Sequence, residues 1–295
     1  VEGEKTMAQY ENVRRPAAAG MFYENDPETL ETSIKGYLSK ADPEKLSAPV
    51  IALISPHAGY PFSGQAAAFG FKLLDPERTH RVFVIAPSHR MHFRGVSIPP
   101  VEAYETPLGL IPLNQEVCDT LLTHNTLFSS VSQAHLQEHS LEVQLPFLQV
   151  VLKNFEIVPM VVGQVKNSDS ENIAKTLRGL IKEDDVVVAS SDFTHQGPRF
   201  GYVPYRENVK KNIRDLDMGA VDRILKKSSQ EFVRYVEDTE ATICGSHPIS
   251  ILLDMLPKEA KGSLLIYYTS GDVLGDETDT VSYASIAFEN AAGWG

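Results

Sequence analysis

The sequence contains 295 residues, of which 42% are hydrophobic and 22% are charged, as in ordinary globular proteins. Its formal net charge at pH 7 is −12, and a surface with that balance repels phosphate backbones and anionic lipid. The apolar runs are of strand length and far shorter than the width of a bilayer. We therefore expect neither a nucleic-acid partner nor a membrane partner.

Two cysteines, Cys118 and Cys244, are too few for a disulfide framework, and no secretory signal is visible near the start. We therefore expect a reducing, cytoplasmic compartment, with Cys118 in the core. Met7 is expected to be the native first residue and 1–6 an artificial addition. The predicted organisation is a tail over 1–13, one domain over 14–290 and a short tail over 291–295.

Along the chain, apolar runs alternate with helical patterns. The predicted strands are Val50–Ile54, Val82–Ala86, Ile157–Val162, Asp185–Ser190, Ser263–Thr269 and Thr280–Phe288. The predicted helices are Gly64–Leu74, Asn114–Leu122, Ser140–Leu152, Glu171–Lys182, Glu207–Leu225, Gln230–Val236 and His247–Leu256. Pro146 should kink the third helix or mark its true start, and Val96–Pro107 should be irregular or an edge element. Because the strands are continuously apolar, we predict an α/β fold: a single domain with a mostly parallel mixed sheet flanked by helices.

Polar side chains follow three of these strands. The segments that carry them are Ser55-Pro56-His57-Ala58-Gly59-Tyr60, Ala86-Pro87-Ser88-His89 and Ser191-Asp192-Phe193-Thr194-His195. The carboxyl ends of parallel strands form the edge where α/β proteins bind ligands. Imidazole is the commonest side-chain metal ligand, so His57 and His89 are interpreted as two ligands of one metal site. The alternative is a pair of structural histidines. Gly59 is expected to permit a tight reversal.

Asp192 and His195 are three residues apart and would share a face if the chain turned into a helix there. We expect them to orient a metal ligand or to act as general acid and base. For Asp192, capping of the following turn is an equally good interpretation.

The segment Glu138-His139-Ser140-Leu141-Glu142 precedes an apolar helical pattern. His139 and Glu142 are also three apart and are candidates for a catalytic role on the same face. Ordinary capping and a favourable interaction of Glu142 with the helix dipole are the alternatives.

Cys244 lies in a turn of small residues, Thr242-Ile243-Cys244-Gly245-Ser246-His247-Pro248, before a predicted helix. A thiol at a helix amino end has a lowered pKa, which would favour nucleophilic attack or metal binding. A small buried hydrophobe is the alternative. A cysteine hydrolase using Cys244 with His195 or His247 and with Asp192 also remains open.

Taken together, these motifs resemble the Memo protein family, as does Ala19-Gly20-Met21-Phe22-Tyr23 near the start. They occur in family order from about residue 14 to residue 288. The segments between them resemble the microbial branch often called AmmeMemoRadiSam system protein B.

The resemblance implies a fold like that of the class III extradiol dioxygenases and a metal set of His57, His89 and Cys244, with Asp192 and His195 beside it. It implies copper or iron as the metal, and the soft donor set also allows zinc. The expected function is that of a redox protein or dioxygenase-like oxidoreductase acting on an unknown small molecule. Partner proteins of the AmmeMemoRadiSam system are expected as well. A non-catalytic accessory or binding protein that retains the pocket is the first alternative, and the cysteine hydrolase is the second.

Overall fold

A computed structural model describes residues 10–124 and 126–295. The expected start at Met7, the addition over 1–6 and most of the predicted first tail lie outside these residues. The strands are β1 (Val13–Arg14), β2 (Val50–Ser55), β3 (Arg81–Pro87), β4 (Val96–Ser97), β5 (Ala103–Thr106), β6 (Gly109–Pro112), β7 (Phe128–Ser129), β8 (Glu156–Val162), β9 (Val186–Ser190), β10 (His195–Gln196), β11 (Lys261–Thr269) and β12 (Thr280–Glu289).

The helices lie between these strands and against the faces of the sheet. They are α1 (Pro27–Lys40), α2 (Tyr60–Phe71), α3 (Gln115–His124), α4 (Gln133–Leu136), α5 (His139–Glu142), α6 (Leu145–Val151), α7 (Asn167–Arg178), α8 (Val209–Leu225), α9 (Ser229–Thr239), α10 (Ser246–Met255) and α11 (Ser270–Leu274), with a 3₁₀ turn at Pro198–Phe200.

One large mixed sheet forms the centre of the domain. Its order is β10-β12-β2-β9-β3-β8-β4-β7, and β11 pairs with the other side of β12. The four central strands, β2, β9, β3 and β8, are mutually parallel, whereas β12 and β4 run antiparallel to their neighbours β2 and β8. The fold class predicted from the sequence is confirmed.

The central strands are apolar along their whole length because helices cover both of their faces. All seven residues of β3 and all five of β9 are buried. Complete burial of one Val or Ile side chain contributes about 1.5–3 kcal/mol, so these strands form the main hydrophobic core. The carboxyl ends of β2, β9 and β3 therefore lie side by side on a rigid support.

All six predicted strands are present, with ends that differ from the prediction by no more than two residues. The predicted helix Ser140–Leu152 is divided into α5 and α6, and Pro146 lies in the first turn of α6. Proline thus marks a true helix start, because the amide hydrogen that it lacks has no intrahelical acceptor at that position. The proline-rich stretch Val96–Pro107 contains two short strands, β4 and β5.

The C-terminal residues 291–295, predicted to form a tail, pack against the domain. Trp294 is only 5% exposed, and its indole Nε1–H donates a hydrogen bond of 2.8 Å to the carbonyl oxygen of Asp185. Burial of so large an aromatic surface accounts for this attachment.

Candidate metal centre

The candidate centre lies at the carboxyl edge of the sheet, where three neighbouring parallel strands end. His57 follows β2, Asp192 follows β9 and His89 follows β3, each two residues beyond the strand. Cys244 reaches the same place from the loop before α10. One ligand atom from each of His57, His89 and Cys244 lies within 4.8 Å of the others, which is the grouping predicted from the sequence.

His57 is 2% exposed, and its Nδ1 lies 2.8 Å from the hydroxyl oxygen of Ser190. That hydroxyl donates its single proton to the carbonyl of Ser140 at 2.7 Å, and it accepts from Nε2 of Gln144 at 2.8 Å. We therefore assign the ring proton to Nδ1 of His57, which leaves the lone pair on Nε2. This nitrogen lies 3.2 Å from Sγ of Cys244.

His89 is held by Glu138, a buried residue that sequence reasoning did not single out. The backbone N–H of His89 donates to Oε2 at 2.6 Å, and its ring Nδ1 lies 2.9 Å from Oε1. A third donor, the N–H of Ser140, reaches Oε1 at 3.0 Å. Burial acts to raise the pKa of Glu138, but the hydrogen bonds and charge of His89 outweigh burial and lower it to about 2.

Cys244 is fixed by the segment that follows β9. The N–H of Asp192 donates to Sγ at 3.3 Å, and the N–H of Gly245 donates to the hydroxyl of Ser191 at 3.0 Å. Burial, reinforced by the nearby carboxylate of Asp192, raises the pKa of the thiol. The lowered pKa expected from a helix amino end is therefore wrong: α10 begins two residues after Cys244, and burial raises the pKa of the thiol instead.

Glycine is required at position 245 by a close approach. A Cβ atom there would lie 2.3 Å from Cβ of Ser191 and 2.5 Å from the carbonyl oxygen of Ser190. Gly59 differs, because its φ of −55° is open to any residue and its Cβ would meet nothing nearer than 3.5 Å. The special role expected for Gly59 is thus wrong.

Asp192 is 4% exposed, and burial raises its pKa. Its Oδ1 accepts from the backbone N–H of His57 at 2.8 Å and from that of Ala58 at 3.3 Å. The carboxylate therefore fixes the loop that presents His57, and it also supports Cys244 through its own N–H. The chain does not turn into a helix after Asp192, so the helical face predicted for Asp192 and His195 is wrong.

His195 begins β10, which pairs with β12. Its Nδ1 lies 2.9 Å from the carbonyl oxygen of Phe193 and 3.1 Å from that of Thr242. Since a carbonyl can only accept, we assign the proton to Nδ1, and Nε2 carries the lone pair. The ring meets Phe200 edge-on, with 5.3 Å between the ring centroids.

His139 lies beside the centre, between two rings. It stacks on Phe22 with 4.2 Å between centroids and on His89 with 4.8 Å, and it meets His57 edge-on at 5.5 Å. Burial, followed by the charges of His57 and His89, lowers its pKa to about 3. Together with His89 and Glu138 it forms a second group of ligand atoms within 4.8 Å of one another.

Glu142 was predicted to lie on the same face as His139, but its carboxylate accepts hydrogen bonds from residues between 14 and 23. It is fully buried and accepts from the guanidinium of Arg14 and the hydroxyl of Tyr23. The N–H groups of Ala17 and Ala18 each donate to it at 2.9 Å. These contacts attach residues 14–23 to α5, and Glu142 belongs to neither group of ligand atoms found among the described residues.

A cavity of about 300 Å³ lies at the opposite edge of the sheet, beside the amino ends of β2 and β9. Its carboxylates include Asp184 and Asp185, which pair with Arg78 and Arg81. No histidine lines this cavity, so it is separate from the candidate metal centre.

Residues 14–287 match the sequence profile of a family described as Memo-like protein. Protein MEMO1 of Danio rerio is 32% identical over 286 residues, with 92% of this chain and 96% of that protein covered. The MEMO1 family protein MTH_45 of Methanothermobacter thermautotrophicus is 32% identical, with coverage of 93% and 100%. A MEMO1 family protein of Sulfolobus acidocaldarius is 34% identical, with coverage of 94% and 99%.

The fold is also similar to a crystal structure of the uncharacterized protein JW3007 from Escherichia coli K12. That chain is 14% identical, with a TM-score of 0.50 and coverage of 81% of this chain and 99% of the other. Within the described part of the chain, none of the helices is both long enough and apolar enough to cross a membrane.

Proposed function

Because the chain belongs to the Memo family, we propose that it is a metal-dependent redox protein that holds copper or iron through His57, His89 and Cys244. The observation that carries the proposal is the approach of these three ligand atoms to within 4.8 Å of one another. The hydrogen bonds at both Nδ1 atoms add support, because they leave each Nε2 free to bind. Two imidazoles and one thiol thus fit a transition metal well.

The donor set determines which metals suit the site. Thiolate and imidazole favour copper or zinc over hard cations, and Fe(II) also accepts this set. Of these, copper and iron would supply electron transfer at the site, whereas zinc would not. Three protein ligands leave a position for a small-molecule ligand, as in catalytic rather than structural sites.

The neighbouring residues take different roles in the proposal. His195 accepts a proton at Nε2 from a bound small molecule, since its Nδ1–H is held by two carbonyls. Asp192 is a positioning residue that acts through the loop of His57. His139 contributes an uncharged ring beside His89, and Glu142 anchors residues 14–23 rather than taking part in the reaction.

Metal titration of the purified protein tests this function. We expect the wild type to bind Cu(I) or Fe(II) with one metal per chain, and His57→Ala and Cys244→Ser each to lose most of that affinity. His80→Ala is the matched control, because His80 is exposed and its ring contacts the carbonyl of Asn154, far from the candidate centre in the fold. Unchanged binding in both pocket variants would refute the proposal.

The accessory-protein alternative keeps the same metal site without turnover. It is favoured by the presence of Cys244 in the donor set, because thiolate is oxidised under conditions that a carboxylate survives. Assays of the iron-loaded protein with aromatic diols and O₂ separate the two functions. Ring cleavage that is lost in His195→Gln would support an enzyme, and metal binding without any turnover would support the accessory protein.

The hydrolase alternative has one contact in its favour, the 3.2 Å between Sγ of Cys244 and Nε2 of His57. This pairing differs from the pairing with His195 or His247 considered from the sequence. The raised pKa of the thiol disfavours a metal-free nucleophile. Rapid alkylation of Cys244 by iodoacetamide at neutral pH, together with hydrolysis that is lost in Cys244→Ser, would instead support the hydrolase.

We also propose a cytoplasmic location and protein partners of the AmmeMemoRadiSam system. The free cysteines support a reducing compartment. Fractionation of cells followed by affinity purification of the tagged protein tests both proposals.

A further inference from the structure

We infer that Glu138 is a positioning residue for the metal ligand His89, an inference that rests on the proposed metal site. Both carboxylate oxygens are used, since Oε2 accepts from the backbone of His89 at 2.6 Å and Oε1 from its ring Nδ1 at 2.9 Å. The residue thus fixes the start of the loop and the orientation of the ring. Metal-binding histidines commonly donate their other ring N–H to a carboxylate in this way.

A carboxylate suits this position better than an amide would. Three donors bond to the two oxygens, the N–H and Nδ1–H of His89 and the N–H of Ser140, and Nδ1 of His139 lies 3.4 Å from Oε1. A glutamine side chain would have to turn an NH₂ group towards one of these donors, which leaves that donor unpaired. Arg14 completes the arrangement, because its Nη2 donates at 2.8 Å to the backbone carbonyl of Glu138.

The same contacts decide between the two groups of ligand atoms. The group of His89, Glu138 and His139 requires Glu138 to bind a metal directly, at the place where it accepts the ring proton of His89. The group of His57, His89 and Cys244 needs only one ring nitrogen of His89, and use of Nε2 leaves that hydrogen bond intact. Glu138 is therefore a partner of the ligand and not a ligand, and the protein binds a single metal per chain.

The variant Glu138→Gln tests this role through metal affinity and stoichiometry. We expect the affinity to fall about 10–100-fold with one metal per chain retained, because a glutamine leaves either the backbone N–H or the ring Nδ1–H of His89 without its acceptor, and the ligand is then less firmly oriented. The electron paramagnetic resonance spectrum of the Cu(II) form should broaden as the ring samples several orientations.

Asp185→Asn is the control, because Asp185 is another buried carboxylate, which pairs with Arg81 at the opposite edge of the sheet. It should lower the free energy of unfolding and leave the metal affinity of the folded protein unchanged. A loss of affinity of equal size in both variants would show a general structural effect and overturn the inference.

A measurement on the unmodified chain removes any dependence on how the variants fold. The ¹⁵N chemical shifts of the His89 ring in the metal-free wild type should identify the tautomer with the proton on Nδ1, and the Nε2 tautomer would overturn the inference. Equal metal affinity of the wild type and Glu138→Gln would also overturn it. The inference would fail as well if the wild-type chain bound two metal ions and the variant bound one. If the wild type binds no metal at all, the proposed function itself fails.

Discussion

The sulfur of Cys244 lies 3.2 Å from Nε2 of His57, although 187 residues separate the two in the chain. Hydrogen bonds hold both side chains in this position. The thiol is held by the N–H of Asp192, and the ring is held by Ser190. The sulfur and the ring nitrogen are therefore held within reach of a common metal ion.

The position of Cys244 should depend on the absence of a side chain at Gly245. We expect Gly245→Ala to destabilise the protein by about 1–3 kcal/mol through overpacking against Ser191 and to weaken metal binding by displacing the sulfur. Gly36→Ala is the control, because it lies inside α1 with nothing within 4 Å of its added Cβ. It should stabilise the protein by about 0.5–1 kcal/mol. Denaturant titration and metal titration of both variants check the contrast, and equal stability of the two would contradict it.

The hydroxyl of Ser190 should control the orientation of His57. In Ser190→Ala the ring Nδ1–H and the amide of Gln144 lose their common acceptor, at a cost of about 1–3 kcal/mol in stability. Metal affinity should fall about 10–100-fold, because the ring is no longer held with Nε2 towards the sulfur.

Ser250→Ala offers a comparison at another buried serine, whose hydroxyl contacts Ser170 and Ser229. It should reduce stability without changing metal affinity. Calorimetric titration of both serine variants distinguishes the two effects, and a Ser190→Ala protein with wild-type affinity would count against the assigned role of Ser190.

Removal of one partner of the buried ion pair between Arg14 and Glu142 should strongly destabilise the protein. Arg14→Ala leaves a buried carboxylate without its counter-charge, and we expect a loss of about 3–5 kcal/mol. The neighbouring Arg15 pairs with Glu105, but its side chain is 60% exposed. Arg15→Ala should therefore cost no more than about 1 kcal/mol. Thermal and chemical denaturation measure both changes, and similar losses would disprove the distinction.

His135 should make stability depend on pH. Burial, followed by the charge of Arg14, lowers its pKa from 6.5 to about 3 in the folded protein. Between these values the unfolded chain binds a proton that the folded chain does not, so stability falls as the pH is lowered through this window. In His135→Gln the slope of unfolding free energy against pH should be shallower by up to about 1.4 kcal/mol per pH unit. Urea titrations from pH 4.5 to 7 check this, and parallel curves for the two proteins would contradict it.

The central sheet could be predicted because its strands are apolar throughout and short, a pattern that only a doubly covered sheet explains. The grouping of His57, His89 and Cys244 was found from strand ends and from motifs that resemble a family. The sequence patterns did not predict helix α1, Pro27–Lys40. Helix α1 has an Asp26 cap that accepts from the N–H of Thr29 at 2.9 Å, but its apolar face is too narrow to be noticed.

Other errors arose where tertiary contacts override local spacing. His139 and Glu142 are three residues apart, as predicted, yet one lies beside the candidate metal centre and the other binds Arg14. Glu138 belongs to a quoted motif but was given no role, because nothing in its local sequence relates it to His89. Its proximity to His89, which lies 49 residues earlier in the chain, depends on the docking of α5 against the end of β3.

The third ligand of the proposed metal centre is synthesised long after the other two. When His57 and His89 emerge from the ribosome, the strand β9 that separates their strands and the loop that carries the sulfur do not yet exist. Loading of this centre must therefore follow synthesis of the segment that carries Cys244. A nascent polypeptide stalled before that residue would present only two imidazoles that are not yet held together.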